Sequence, residues 1–304
     1  MPQMTIREAI RSGLQELLDE DPNVFLMGED IGAYGGSYAV TSGFLDQYGE
    51  ERVRDTPISE SVIVGAGIGA AMNGARPIVE LMTINFSLVA IDQIVNHAAK
   101  IFYMFGGQQP IPLVIRTVSG GGAMLGPTHS QSLEGWYANV PGLKVACPAF
   151  PADAKGLLLS AARDNNPVLF VEHQGLYRIK GEVPTEKFEV PLGKSNVVRE
   201  GKDITLVAYS RSVHVALDAA EQLAAQGMEA EVIDLRCIRP LDLDPVFESV
   251  RKTNRACVIE EGWRTGAFGA HIVGEIQQHC FDDLDGPVLR VASEDVSFPY
   301  NRNL

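Results

Sequence analysis

The chain has 304 residues, 45% of them hydrophobic and 21% charged, which excludes a disordered or fibrous protein and leaves room for two domains. A formal net charge of −14 excludes nucleic acid and an anionic membrane as the main partner, because it offers neither counterion release nor polybasic attraction. Four cysteines, Cys147, Cys237, Cys257 and Cys280, stand far apart without zinc or haem spacing and read as small buried hydrophobes of a reducing compartment.

Met1-Pro2-Gln3-Met4 carries neither the basic and apolar regions of a signal peptide nor the arginine-rich pattern of a transit peptide, so nothing targets the chain for export. From Thr5, apolar residues at Ile6, Ala9, Ile10, Gly13, Leu14, Leu17 and Leu18 predict a helix that stops before Asp21-Pro22. Val24 to Met27 reads as a short buried strand, and residues 32 to 44, rich in glycine and aromatics, as a loop.

Asp55-Thr56-Pro57-Ile58-Ser59-Glu60-Ser61 then ends an extended run and opens an apolar, glycine-rich helix reaching about Asn73, with Ser59 as its cap and Gly74 as a stop. Asn73 and the many small residues make the run from 62 to 75 a packed internal helix rather than a membrane span. Glu60 is the residue to explain. A carboxylate at a helix start is common, because the helix dipole favours negative charge there. Here, however, Ile58, Val62, Ile63 and the small residues at 65 to 71 leave little water nearby once both faces pack. A carboxylate in such surroundings needs a partner or takes up a proton, and either outcome suits proton chemistry.

Arg76 to Met82 reads as a strand, about Phe86 to Phe105 as one long helix, and Leu113 to Val118 as a strand covered on both faces. Ser119 to His129 is a glycine-rich loop at a strand's carboxyl end, where open α/β folds carry ligands. A strand at Leu143 to Cys147, a helix from Asp153 to about Asp164 and a strand at Pro167 to Glu172 continue the alternation, which predicts a mainly parallel sheet with helices on both faces. Residues 181–202 lose all periodicity and read as a connector between a first domain, 1–180, and a second, 203–304. The second is a smaller α/β unit, with strands at Ile204–Tyr209, Ala230–Leu235, Ala256–Glu260 and Val288–Val291 and helices at Val213–Gln226, about Pro245–Lys252 and about Ala267–Cys280.

Several familiar chemistries are absent. The glycines at 65, 67 and 69 fall inside a helix rather than in a strand-to-helix turn, so close helix–helix contact, including contact across a subunit interface, explains them better than a dinucleotide. The loop after Ser119 lacks the Gly-Lys-Ser/Thr ending of a phosphate loop, and no Gly-x-Ser-x-Gly elbow occurs. His97, His173, His214, His271 and His279 show no metal spacing and read as structural or surface residues. His129 leaves the glycine-rich loop either as a proton carrier or as a helix-cap hydrogen bonder; its position allows both.

Asp55-Thr-Pro-Ile-Ser-Glu60, Glu80-Leu-Met-Thr-Ile-Asn-Phe86, Ala90-Ile-Asp-Gln93, His129-Ser-Gln131, Pro141-Gly-Leu-Lys-Val145 and Arg163-Asp-Asn-Asn-Pro167 together closely resemble the β subunit of the thiamine diphosphate-dependent 2-oxo acid dehydrogenase first component. The similarity runs from about Thr5 to Tyr300. It implies a transketolase-like pyrimidine-binding domain, a transketolase C-terminal domain and an α2β2 assembly. It also implies that Glu60 bonds the cofactor's pyrimidine nitrogen, promoting the imino tautomer that deprotonates the thiazolium carbon for attack on a 2-oxo acid. Carbon dioxide then leaves, and the acyl group passes to the lipoyl arm of an acyltransferase. On the same resemblance Ile58, Met82 and Phe86 line the pyrimidine pocket, and His129 lies beside the reacting centre.

The resemblance further implies a potassium site at Leu113, Ala161, Ala162, Asp164 and Asn166, and a contact of Asp285 with the acyltransferase. No Gly-Asp-Gly occurs, so magnesium and the diphosphate group fall to the α subunit. The chain stops at Leu304, where relatives continue with a further helix, so the sequence is either truncated or lacks it. Asn85-Phe86-Ser87 with Ala90-Ile-Asp-Gln93 looks like the pyruvate subclass; a branched-chain 2-oxo acid or acetoin dehydrogenase β subunit is the alternative, and a non-catalytic docking subunit is the reading from another class. The expected compartment is the bacterial cytoplasm or, for a processed chain, the mitochondrial matrix or a plastid.

Overall fold

The structure, a computed structural model, describes residues 2–121, 124–301 and 303. A short strand, β1 (Gln3–Thr5), leads into α1 (Ile6–Glu20). Thr5 and Glu8 form a reciprocal capping box, with Glu8 N–H donating to Thr5 Oγ1 at 3.2 Å and Thr5 N–H donating to Glu8 Oε2 at 2.7 Å. It satisfies two otherwise orphaned donors and contributes about 1 kcal/mol. The whole apolar stripe expected of this helix is buried.

The chain then alternates through β2 (Val24–Gly28), α2 (Phe44–Tyr48), β3 (Val53–Asp55), α3 (Glu60–Met72), β4 (Arg76–Leu81), α4 (Ile101–Met104), β5 (Val114–Ser119), α5 (Glu134–Ala138), β6 (Lys144–Ala146), α6 (Pro151–Arg163) and β7 (Val168–His173). Strands β6, β7, β5, β4, β2 and β3 lie side by side in that order, all parallel, with Leu26, Ile78, Val114 and Val168 in register. Alternate residues serve two cores: Ile78, Val114 and Phe170 pack with α1 and α6, whereas Val79, Ile115 and Leu169 pack with Ile63 and Ile68 of α3. Burial on both faces is why these strands read as continuous apolar runs.

The helix expected from Phe86 to Phe105 is not one helix. It divides into a 3-10 turn at Ile84–Leu88, a π-helical stretch at Gln93–Ala98, and α4. Side-chain bonds compete with the regular ladder here, as Ser87 Oγ donates to Ile84 O at 2.5 Å and Asn96 Nδ2 to Asp92 Oδ1 at 2.8 Å. The α3 glycines also differ from expectation. A Cβ at Gly67 would stand 2.9 Å from Val79 Cγ1, so Gly67 seats the helix on the sheet; Gly65 faces Gln93 of the π stretch; and Gly69 meets no atom within 4 Å. Ser59 occupies the N-cap position of α3 without a side-chain cap bond, while Ser61 Oγ donates to Val89 O at 2.6 Å.

Beyond β7, β8 (Lys180–Glu182) pairs antiparallel with β1, and β9 (Asn196–Arg199) lies inside the stretch expected to be an ordered or semi-ordered connector. The second sheet is completed by β10 (Ile204–Ala208), α7 (Ser212–Ala224) and β11 (Ala230–Asp234), then β12 (Cys237–Arg239), α8 (Asp244–Thr253), β13 (Ala256–Trp263), α9 (Gly269–His279) and β14 (Leu289–Ser293). Its order is β14-β13-β10-β11-β9, with β9 the antiparallel edge. Strand β12 does not join it but crosses back to pair antiparallel with β6, placing Cys237 opposite Ala146. One apolar core therefore runs through both domains, from Ile115 and Val145 to Val207, Ile233 and Ile272. All four cysteines are buried and unpaired. No helix among the described residues is long and apolar enough to cross a membrane.

The crossing buries carboxyl groups. Asp234, fully buried at the end of β11, accepts the Arg236 N–H on Oδ1 at 2.8 Å, and its Oδ2 meets no partner among the described residues. Burial, with the Asp153 charge nearby, pushes Asp234 from the ordinary 3.8 up to about 8. The folded protein therefore holds a proton that the unfolded chain releases, so this group makes stability fall as pH rises from about 4 to about 8. Asp234→Asn should flatten that decline, leaving the variant ahead by on the order of 2 kcal/mol at high pH relative to low. Thermal unfolding followed from acid to alkaline pH checks this; parallel curves for the two proteins would contradict it.

Candidate active site

In an open parallel sheet ligands bind outside the carboxyl ends of the strands. Here those ends are Asp55 of β3, Leu81 of β4, Ser119 of β5 and His173 of β7. Ile58 and Glu60 follow the first, Met82 and Phe86 the second, and His129 the loop after the third.

Glu60 is the first residue of α3 and is 7% exposed. No described group hydrogen-bonds to its carboxylate, and its oxygens are not among the fully buried unpartnered atoms, so what remains exposed of the residue includes the carboxylate. The α3 N-terminus supplies partial positive charge to it. Its own charge is felt nearby: burial, then Asp30 and Glu60, push Glu29 above the ordinary carboxylate range. Ile58 and Val62, expected to exclude water, are 76% and 64% exposed, so among the described residues the Ile63 side is sealed and the Ile58 side is open.

Phe86 and His129 come together, their rings edge to face at 5.3 Å between centroids, with Thr128 Oγ1 2.9 Å from His129 Nδ1. Both are half-buried, as is Met82. Asn85 joins the segment after β4 to the segment after β5: its Oδ1 accepts from Gln131 Nε2 at 2.9 Å, and its Nδ2 donates to Thr83 Oγ1 at 3.2 Å. Gly122 and Ala123 of the expected loop lie outside the described residues. Asp55 accepts the N–H groups of Gly32 and Ala33 at 2.6 and 2.9 Å, which anchors the 32–44 loop beside the site. Sequence reasoning placed Asn85, Gln131 and Asp55 in the motifs of the resemblance, and Asn85 in the marker of the pyruvate subclass, but gave none of them these contacts; the available signal was polar residues at the ends of apolar runs.

Another missed group lies on the far face of the sheet. Arg116, shared between Glu80 and Glu172, donates from Nη1 to Glu80 Oε2 at 2.6 Å and from Nε and Nη2 to Glu172 at 2.7 and 3.0 Å. Burial opposes its charge, but Glu172 and Glu80 outweigh burial and hold the guanidinium protonated. Burial pushes Glu80 upward and Arg116 draws it back. Val114 and Val118 flank Arg116 on the α1 face, so the cluster stiffens the sheet behind the site rather than facing α3.

The residues matched to potassium gather around β5 and the end of α6. Arg76 Nη1 donates to Ala162 O at 3.0 Å and Asp164 O at 3.2 Å, while Leu113 O and Ala161 O accept Val168 N–H and Asp164 N–H at 2.9 and 3.3 Å. Asp164 Oδ1 accepts both N–H groups of Asn166, at 2.8 and 2.9 Å, and Oδ2 pairs with Lys144. Against burial, Lys144 and Asn166 hold Asp164 below its ordinary value. Asp285 is exposed in the loop before β14, with Arg255 Nη2 at 3.4 Å from its Oδ2.

Two family descriptions match the chain: the transketolase pyrimidine binding domain over residues 2–180, and the transketolase C-terminal domain over residues 193–304. A pyruvate dehydrogenase E1 component subunit beta of Porphyra purpurea is 45% identical over 304 residues, covering 100% of this chain and 92% of that one. The chain belongs to the pyruvate dehydrogenase E1 β-subunit family. Other members include the mitochondrial subunit beta-2 of Oryza sativa subsp. japonica, 50% identical over 99% of this chain and 81% of its own length. For the subunit beta of Rhizobium meliloti (strain 1021), 49% identical over 100% of this chain, the match spans 66% of the relative. The E1 β fold recurs in a split-gene transketolase solved as an inactive β4 tetramer, at a TM-score of 0.78 and 24% identity over 96% of this chain and 90% of that one.

In this E1 β-type sheet the buried triad is the part most exposed to a single change. Arg116→Met leaves Glu80 and Glu172 buried without a cation, which costs about 3–5 kcal/mol. Denaturant unfolding measures it, and a loss below about 1 kcal/mol would show that the triad does not support the sheet.

Proposed function

We propose that this chain is the β subunit of a pyruvate dehydrogenase first component, and that Glu60 shares a proton with the pyrimidine nitrogen of thiamine diphosphate. One observation carries the proposal: Glu60, a residue 7% exposed at the carboxyl edge of the sheet, has a carboxylate that no described group hydrogen-bonds. The residues present fit the ring. A heterocycle nitrogen supplies the missing hydrogen bond, Met82 gives an apolar shelf, Phe86 an aromatic face, and Ile58 borders them. When bound, the cofactor supplies the nucleophilic carbon and the electron sink for decarboxylation. Glu60 holds the shared proton in a poorly solvated place, where it competes with little water, and His129 moves a proton at the reacting centre while Thr128 orients its Nδ1.

The chain holds half of a site. Without Gly-Asp-Gly, the magnesium and diphosphate contacts come from an α subunit in an α2β2 assembly. The exposed Ile58, Val62 and Val89, held near one another by the Ser61–Val89 bond, suit coverage by that partner. The acetyl group leaves on the lipoyl domain of an acyltransferase, with Asp285 among the contacts. Bacterial cytoplasm, mitochondrial matrix and plastid stroma all suit such a complex.

Glu60→Gln, assembled with the α subunit, should keep the assembly and lose about 10²- to 10⁴-fold in turnover, with wild-type kcat/KM higher on pyruvate than on 2-oxoisovalerate or acetoin. Near-normal turnover by the variant would overturn the role given to Glu60. Potassium held by Leu113, Ala161, Ala162, Asp164 and Asn166 is part of the same proposal, the carbonyls of Leu113, Ala161, Ala162 and Asp164 each having a second lone pair beyond the one its present donor uses. Replacing potassium by sodium at constant ionic strength should then lower the Tm of the assembly, and identical melting in both salts counts against the site.

A further inference from the structure

The loop that ends in His129 is gripped from the second domain. From the last residue of β14 onward the chain is tied down three times: Arg264 N–H donates to Ser293 O at 2.9 Å, the Asp295 carboxylate accepts Thr265 N–H and Oγ1–H at 2.9 and 2.7 Å, and Trp263 Nε1–H donates to Val296 O at 2.9 Å. Trp263 also lies 6.3 Å, centroid to centroid, from Phe298. Fixed in this way, the segment reaches across to the first domain. The Phe298 ring lies over Gly121, where a Cβ would stand 2.9 Å from it, and the Tyr300 ring lies over Gly126, where a Cβ would stand 2.7 Å from it.

The root of the loop is held as well. Gly120, at φ +97°, lies so close to His173 that a Cβ would fall 1.8 Å from Nε2. That Nε2 is 2.7 Å from Glu261 Oε2, and Glu261 Oε1 accepts from Arg211 Nη1 at 2.8 Å. Gly175 N–H donates to His173 Nδ1 at 3.0 Å, and since a backbone N–H only donates, Nε2 is the nitrogen that carries hydrogen; it lies beside the Glu261 carboxylate without the alignment of a hydrogen bond. Three glycines of one loop thus press on three side chains; two of these belong to the second domain and the third is braced by it.

We propose that Phe298 and Tyr300 are positioning residues for His129, holding its loop in the conformation that sets the imidazole edge-on to Phe86. The proposal rests on the reading of His129 as an active-site group. Ordering an irregular loop costs about 1–2 kcal/mol per residue, and aromatic rings laid on glycine backbone offset that cost without any contact to the reacting atoms. Glu60 and Met82 come from other segments, so cofactor binding does not depend on the rings.

The test uses the chain assembled with its α subunit. Hydrogen exchange over residues 124–131 is measured together with kcat and KM for pyruvate and the affinity for thiamine diphosphate. Tyr300→Ala and Phe298→Ala should each speed exchange in that segment about tenfold and lower kcat about tenfold, with KM and cofactor affinity within about twofold. Tyr300→Phe, which keeps the ring, should restore both. Unchanged exchange in Tyr300→Ala, a Tyr300→Phe variant as impaired as Tyr300→Ala, or a loss of cofactor affinity equal to the loss of kcat overturns the proposal. His129→Ala run alongside separates the two layers: full turnover there removes the active-site reading of His129, while the exchange data still decide whether the rings hold the loop.

Discussion

Six parallel strands, the central four of them, β2, β4, β5 and β7, buried on both faces, constrain everything else in this protein. Parallel neighbours cannot be joined by tight turns, so each strand is followed by a crossover that returns along one face of the sheet. All the carboxyl ends consequently emerge at one edge, and the segments leaving β3, β4, β5 and β7 meet there whatever their separation in sequence. Phe86 and His129 are brought together by that rule, and Glu60 emerges at the same edge of the sheet. The buried Arg116 triad, bridging β4, β5 and β7 from the opposite face, ties together three of the strands whose ends form the site.

The electrostatic character of the site follows from where α3 begins. A helix start provides donors and partial positive charge, which explains how an ionisable group can sit under apolar cover. It does not provide Glu60 with a specific partner, and the exposed Ile58 and Val62 leave one wall open. Both features are the ground for the proposal that another molecule completes this surface. The same economy governs the α3 glycines, since Gly67 exists to let the helix rest on Val79 and Leu113.

The two domains are joined more tightly than a linker requires. Strand β12 extends the first sheet from within the second domain, and the Arg236–Asp153 pair and buried Asp234 lie at that crossing. On the site's side, His173 meets Glu261 and the residues after β14 meet the glycine-rich loop. The second domain is thereby a structural wall of the first domain's site.

Much of the fold was legible in local pattern. The 3.6-residue stripe of α1 and the unbroken apolar runs of β4, β5 and β7 depend on burial and period alone, and the assignment of Glu60 to the start of α3 needed only a turn followed by a helix. The 86–105 stretch was misread because its apolar spacing suits a helix, while Ser87 and Asn96 spend their side chains on bonds that compete with the ladder. Strand β12 was invisible for a different reason: three residues carry too little periodicity, and their partner, β6, is some ninety residues earlier, since Cys237 pairs with Ala146. His173 looked like one more structural histidine until the fold placed Glu261 on one side of it and Gly120 on the other. By itself the sequence determined which segments are helix or strand and which carboxylate begins α3, because those depend on neighbours within a few residues. Only the tertiary structure decided which side chains face the site and which domain holds its loop, because those contacts are set by chain crossings whose two ends are far apart in sequence.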